Sequence, residues 1–175
     1  MPQYPVVGGG VPVDDQFLSD MIDNYVIKPA DATPRVNATL AADPDLTFPV
    51  VANAVYDVMF RVRFAGLQAA GLRTDWAVPT GTTGNRECLG PGSANVAQAD
   101  ANTTELRLAV HGYGTAVLYT NPRNSVSLQT FLEERAILSV GAAAGACTFR
   151  WAQNVANATG SLVNANSYVK YRRIG

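Results

Sequence analysis

Two segments near the C-terminus alternate as a strand does, each with its bulk on one side. In Gly145–Asn154, Cys147, Phe149 and Trp151 alternate with Thr148, Arg150 and Ala152. In Ser167–Ile174, Val169 and Tyr171 alternate with Tyr168, Lys170 and Arg172. Successive side chains of a strand point to opposite faces, so both segments read as half-buried strands. The connector, 154–166, is rich in Asn, Ala, Ser and Thr and suits a loop at a sheet end. A strand carrying Trp151 makes a poor edge. The pattern predicts Gly145–Gln153 as an inner strand of a sandwich, with the C-terminal strand sharing its core.

The same period recurs upstream. In Val55–Phe64, residues Tyr56, Val58, Phe60, Val62 and Phe64 share one face, and Asp57, Met59, Arg61 and Arg63 the other. Two arginines on a central strand imply a face that is wet or meets another subunit. Further strands are expected at Tyr25–Lys28, Leu46–Val51, Leu72–Val78 and Val126–Val140. Glu105–Tyr119 reads as one long strand or a strand broken at Gly112 and Gly114. Phe131–Leu138 has helical propensity, but its neighbours argue for strand. Asp43-Pro44-Asp45 and Asn121–Asn124 read as turns, and the turn-rich stretch 80–104 as an irregular excursion at a sheet edge. About eight to ten short strands between turn signals predict an all-β fold, an antiparallel, jelly-roll-like β-sandwich.

The first residues differ in kind. Residues 1–12 hold three prolines and three glycines and cannot sustain a helix or a central strand. They are expected to form an extended arm. Asp14 is placed to cap a short helix, roughly Asp15 to Asn24, with Phe17, Leu18, Met21, Ile22 and Tyr25 in one apolar stripe. This divides the chain into an anchoring segment, 1–30, and a sandwich domain, 31–175. Tyr4, Val6 and Val7 of the arm, with the stripe, are the candidate anchoring residues. Arg61 and Arg63 are the candidate subunit contact.

Composition narrows the function. The chain is 47% hydrophobic and 15% charged with net charge −1, enough for one core and without the basic face nucleic acid requires. No charged-then-apolar leader or run of eighteen apolar residues occurs, so neither membrane nor export is expected. The sequons at Asn37, Asn102 and Asn157 are read as chance. Cys88 and Cys147 suit buried free thiols, with a bond between them left open. His111 is the one histidine, with no nucleophile-elbow motif in the chain, and is expected to be structural. One His and two distant Cys are a thin supply for zinc. Gly8-Gly9-Gly10 lacks the Lys-Ser/Thr of a phosphate loop. Asp43 with Asp45, and Glu133 with Glu134, are expected to be solvated rather than acid–base pairs. The expectation is no enzyme, no cofactor and no metal: an assembly protein.

Four stretches also carry a resemblance: ADPDLTFPVVANAVYD from Ala42 to Asp57, WAVPTG from Trp76 to Gly81, WAQNVANAT from Trp151 to Thr159, and SYVK from Ser167 to Lys170. Across roughly residues 25–174 the chain resembles minor structural proteins, of head-decoration or tail type, from tailed phages infecting actinobacteria. The WAQN stretch is the most specific part. Tyr168 stands where such proteins often carry Trp or Leu. The resemblance implies a virion structural protein and leaves head against tail open; the favoured reading is a trimeric decoration protein on the head surface, assembled in the host cytoplasm and held by the N-terminal arm and helix. Its implied partners are copies of itself and the major capsid protein or tail proteins, with a host-surface glycan as a candidate ligand. A minor tail, baseplate or receptor-binding component is the alternative, and a carbohydrate-binding module a further one.

Overall fold

The alternation read in the sequence becomes two antiparallel sheets in the computed structural model, which describes Leu18 and residues 22–92 and 106–175. In chain order the described strands are β1 (Asn24–Ile27), β2 (Ala41–Val50), β3 (Val55–Gly66), β4 (Leu72–Ala77), β5 (Arg86–Pro91), β6 (Leu106–His111), β7 (Val117–Tyr119), β8 (Ser125–Ser139), β9 (Gly145–Ala152), β10 (Leu162–Val163) and β11 (Tyr168–Arg173). The larger sheet runs β1-β11-β3-β8-β5-β6, with the short β10 also on β3. The smaller runs β2-β9-β4-β7.

The pairing identifies the winding. β2 pairs with β9, β3 with β8, β4 with β7 and β5 with β6, all antiparallel. This is one long two-stranded ribbon, closed between β5 and β6. It is rolled so that successive pairs fall in alternate sheets. The contacts β9–β4 and β8–β5 then complete each sheet. An eight-stranded ribbon rolled this way is a jelly roll. β1 and β11 extend the larger sheet beyond β3.

The core lies between the sheets. Tyr56, Val58, Phe60, Val62 and Phe64 of β3 are buried, and Phe149 and Trp151 of β9 are fully buried between β2 and β4. Phe60 meets Trp76 edge-on, 4.7 Å between ring centroids, and lies tilted against Phe149 at 5.4 Å. Edge-on aromatic pairs add to the stabilisation from their buried area.

Three local expectations are corrected, and one open alternative is decided. Residues 86–91 are not irregular: β5 lies inside the larger sheet, between β8 and β6. Its inward residues are Arg86, Cys88 and Gly90, so the alternation carries little apolar signal. Asp43-Pro44-Asp45 is not a free turn but a bulge within β2, where the register to β9 shifts between Ala42 and Thr47. The stretch 105–119 is broken, and its halves part company: β6 joins the larger sheet and β7 the smaller. The helix expected over Asp15–Asn24 lies outside the described residues except at Leu18, which is helical, and at its C-terminal end. There Asn24 and Tyr25 are strand, paired with Tyr171 and Lys170 of β11. β1 is the strand expected at Tyr25–Lys28, displaced by one residue toward the N-terminus.

Candidate binding and assembly face

Two carboxylates expected in solvent lie in the interior. Glu134 of β8 is fully buried. Its Oε1 accepts from the Thr74 hydroxyl at 2.5 Å and the Tyr119 hydroxyl at 3.0 Å. Its Oε2 accepts from the Trp76 indole and from the Arg86 guanidinium, both at 2.6 Å. A carboxylate has about four lone-pair sites, and here each has a donor. Gly90 makes the arrangement fit: a Cβ there would lie 2.7 Å from the Tyr119 ring. Burial, reinforced by Glu134, pushes the Tyr119 hydroxyl well above its ordinary range. The same causes push the Cys88 thiol up to about 11. Cys147, fully buried, is raised by burial. Both cysteines are free and held as thiols near neutral pH, the unreactive form.

Asp43 forms the second cage. Its Oδ1 accepts from Lys28 Nζ at 3.1 Å and from the backbone N–H groups of Asp45 and Leu46. Its Oδ2 accepts from the Trp151 indole at 3.0 Å. Lys28 also reaches Asp45 at 2.6 Å. Arg35 lies over the Trp151 ring, 3.8 Å from its centroid, and donates to the carbonyls of Ala41, Ala42 and Trp151. Each tryptophan thus has its N–H satisfied by a buried acid, and each acid is balanced by a buried cation. The missed signal was the tryptophans themselves, because a buried indole N–H requires an acceptor. Of the pair Glu133 and Glu134, strand alternation turns one out and one in.

The outer face of the larger sheet is different. Arg61 and Arg63 of β3 are both exposed. Arg61 lies over the Phe131 ring of β8, 5.0 Å from its centroid. Among the described residues neither arginine forms an ion pair. With Gln129, Phe131, Asn166 and Tyr168 they line a hollow of about 420 Å³. Tyr168 sits cross-strand from Arg61, and Tyr25 of β1 leans on it at 5.8 Å. The neighbouring charges are engaged: Arg135 holds Glu133 at 2.7 Å, and Lys170 holds Asp23 at 3.3 Å.

At the far edge of this sheet the usual pattern is inverted. β6 points Leu106, Leu108 and Val110 outward at 69%, 76% and 65% exposure, with Leu89 of β5 beside Leu108. Among the described residues no strand pairs with the other side of β6. At the opposite edge Tyr25 and Ile27 of β1 are also exposed. Of the candidate anchoring residues, Leu18 and Ile22 are exposed, while Tyr4, Val6, Val7, Phe17 and Met21 lie outside the described residues. His111 closes β6, half-exposed and cross-strand from Arg86. Among the described residues no three His, Cys, Asp or Glu side chains group as metal ligands.

No family model matches the chain, and no curated protein matches it. Among solved structures, a chain from the structure of infectious bursal disease virus Gx strain aligns with 88% of this chain and 36% of its own length, at 12% identity and TM-score 0.22. This chain thus spans about a third of that one, and the likeness is too low to carry a functional argument.

Proposed function

We propose that the chain is a structural protein of a tailed-phage virion, carried on the head surface as a decoration protein in trimers. The supporting observation is the contrast between a jelly roll whose buried charges are paired internally and a larger sheet whose two edge strands turn apolar residues outward. Long apolar edges favour association, and soluble monomers usually blunt them with charge or proline. Jelly rolls recur in viral capsid proteins, an analogy of fold alone. The sequence resemblance points the same way.

The occupant of the β6 edge is a second copy. Strand direction alternates across the path β1-β11-β3-β8-β5-β6, so its two edges run in opposite directions. Setting β6 of one copy beside β1 of the next makes an antiparallel ladder. It brings Leu106, Leu108 and Val110 onto the same face as Tyr25 and Ile27. Such a contact is heterologous and closes into a ring when the rotation per copy allows. Light scattering on wild type and Leu108→Glu tests this. The wild type is expected to be trimeric and the variant monomeric and folded. A monomeric wild type, or a variant trimer, would refute the edge contact.

A second reading, a tail or baseplate component that meets the host, is favoured by the unpaired arginines over the aromatic hollow. Copy number per virion separates the two: hundreds for decoration, a few for a tail protein.

A further inference from the structure

We propose that the hollow between Arg61, Arg63, Phe131 and Tyr168 binds an acidic saccharide, with a sugar carboxylate held by the arginines and a pyranose ring against the aromatic side chains. Arg61 and Arg63 are two residues apart on one face of β3, so their Cα atoms are about 7 Å apart. Guanidinium groups bind carboxylates in planar, two-point geometry. Inside the sandwich, Arg86 lies 5.9 Å from the Trp76 ring centroid and binds Glu134. Outside, Arg61 repeats the cation–ring half of that arrangement, with its donors toward solvent. The acid cross-strand from Arg61, Glu133, is taken by Arg135.

The rest of the lining selects the class of ligand. Gln129 and Asn166 each offer a donor and an acceptor, the pairing that sugar hydroxyls use. Tyr168 and the part of the half-exposed Phe131 ring that Arg61 leaves uncovered provide flat apolar surface for the C–H face of a sugar ring. A hollow of about 420 Å³ lies within the usual range for small-ligand sites. A polyanion such as nucleic acid fits poorly, because the chain has net charge −1 and Glu87, Glu133 and Asp57 share this face. One acidic group on an otherwise neutral, hydroxyl-rich ligand fits better. Such binding deepens the host-contact reading and needs no particular place on the virion.

Titration calorimetry and ligand-observed NMR on the full chain test it with four probes: trigalacturonic acid, its neutral counterpart galactotriose, a sulfated galactose oligomer and a Glu-rich peptide. Trigalacturonic acid is expected to bind in a salt-sensitive manner, roughly tenfold or more tighter than galactotriose. Arg61→Gln and Arg63→Gln should each weaken it roughly tenfold, with Arg61→Lys intermediate and the melting temperature unchanged. Phe131→Ala should abolish saturation transfer to the sugar ring protons. Tighter binding of the sulfated oligomer would move the acid from carboxylate to sulfate and overturn the carboxylate assignment. Tighter binding of the peptide would assign the hollow to a protein partner. No binding, equal binding of galactotriose, or indifference to the arginine substitutions would each overturn the site. None of these results bears on copy number per virion, so the site and the structural role fail separately.

Discussion

Arg86 and Arg61 belong to the same sheet and face opposite ways. Arg86 is fully buried, with one guanidinium nitrogen on Glu134 and another on the Thr115 carbonyl. Arg61 is exposed and lies over the face of Phe131, and among the described residues it forms no ion pair. The same chemical group is a structural tie in one place and an open donor in the other. Burial decides the difference. A charge taken from water must be neutralised within the fold, whereas a solvated one is free to engage something outside.

The comparison breaks most readily at the buried acid. Glu134→Ala leaves Arg86 buried without its partner and should cost about 3–5 kcal/mol, measured by urea unfolding. A loss under about 1 kcal/mol would show that the cage is dispensable. Trp151→Ala should cost a similar 3–5 kcal/mol, because it deletes a core aromatic and also strips Asp43 of a donor. Arg61→Ala sharpens the contrast: its effect on stability should stay within about 0.5 kcal/mol.

The thiols give a smaller, pH-dependent signature. Folding raises Cys88 from 9.0 to about 11, so between those values the unfolded chain binds fewer protons than the folded one. Stability is therefore full below about pH 9 and falls as pH rises toward 11, at about 1.4 kcal/mol per pH unit for this thiol at most. Cys88→Ala should flatten that slope in alkaline unfolding curves. An unchanged slope would mean that burial does not hold the thiol protonated. The smallest effect is expected for His111→Ala, about 0.5 kcal/mol or less, with oligomeric state unchanged.

Much of the sandwich was legible because β3 and β9 are half-buried strands whose inward residues are aromatic or aliphatic. β5 was not, since Arg86, Cys88 and Gly90 fill its inward positions and meet partners from β7 and β8. Nor was the crossing between β6 and β7, because leaving one sheet for the other creates no change in composition. The buried acids were misjudged for a similar reason. Asp43 flanks a proline and Glu134 sits in a helix-prone run, and only tertiary pairing with Lys28 and Arg86 makes their burial tolerable. The two arginines on the outer face of β3 were visible in sequence. Their aromatic neighbours were not, since Phe131 and Tyr168 arrive by register from β8 and β11.

The central claim, a virion structural role, is tested most directly by electron microscopy of purified particles labelled with an antibody to this chain. The account predicts labels distributed over the head, on the order of hundreds per particle, consistent with trimers that pair β6 with β1. Particles that carry no label, from a lysate that contains the protein, would contradict it.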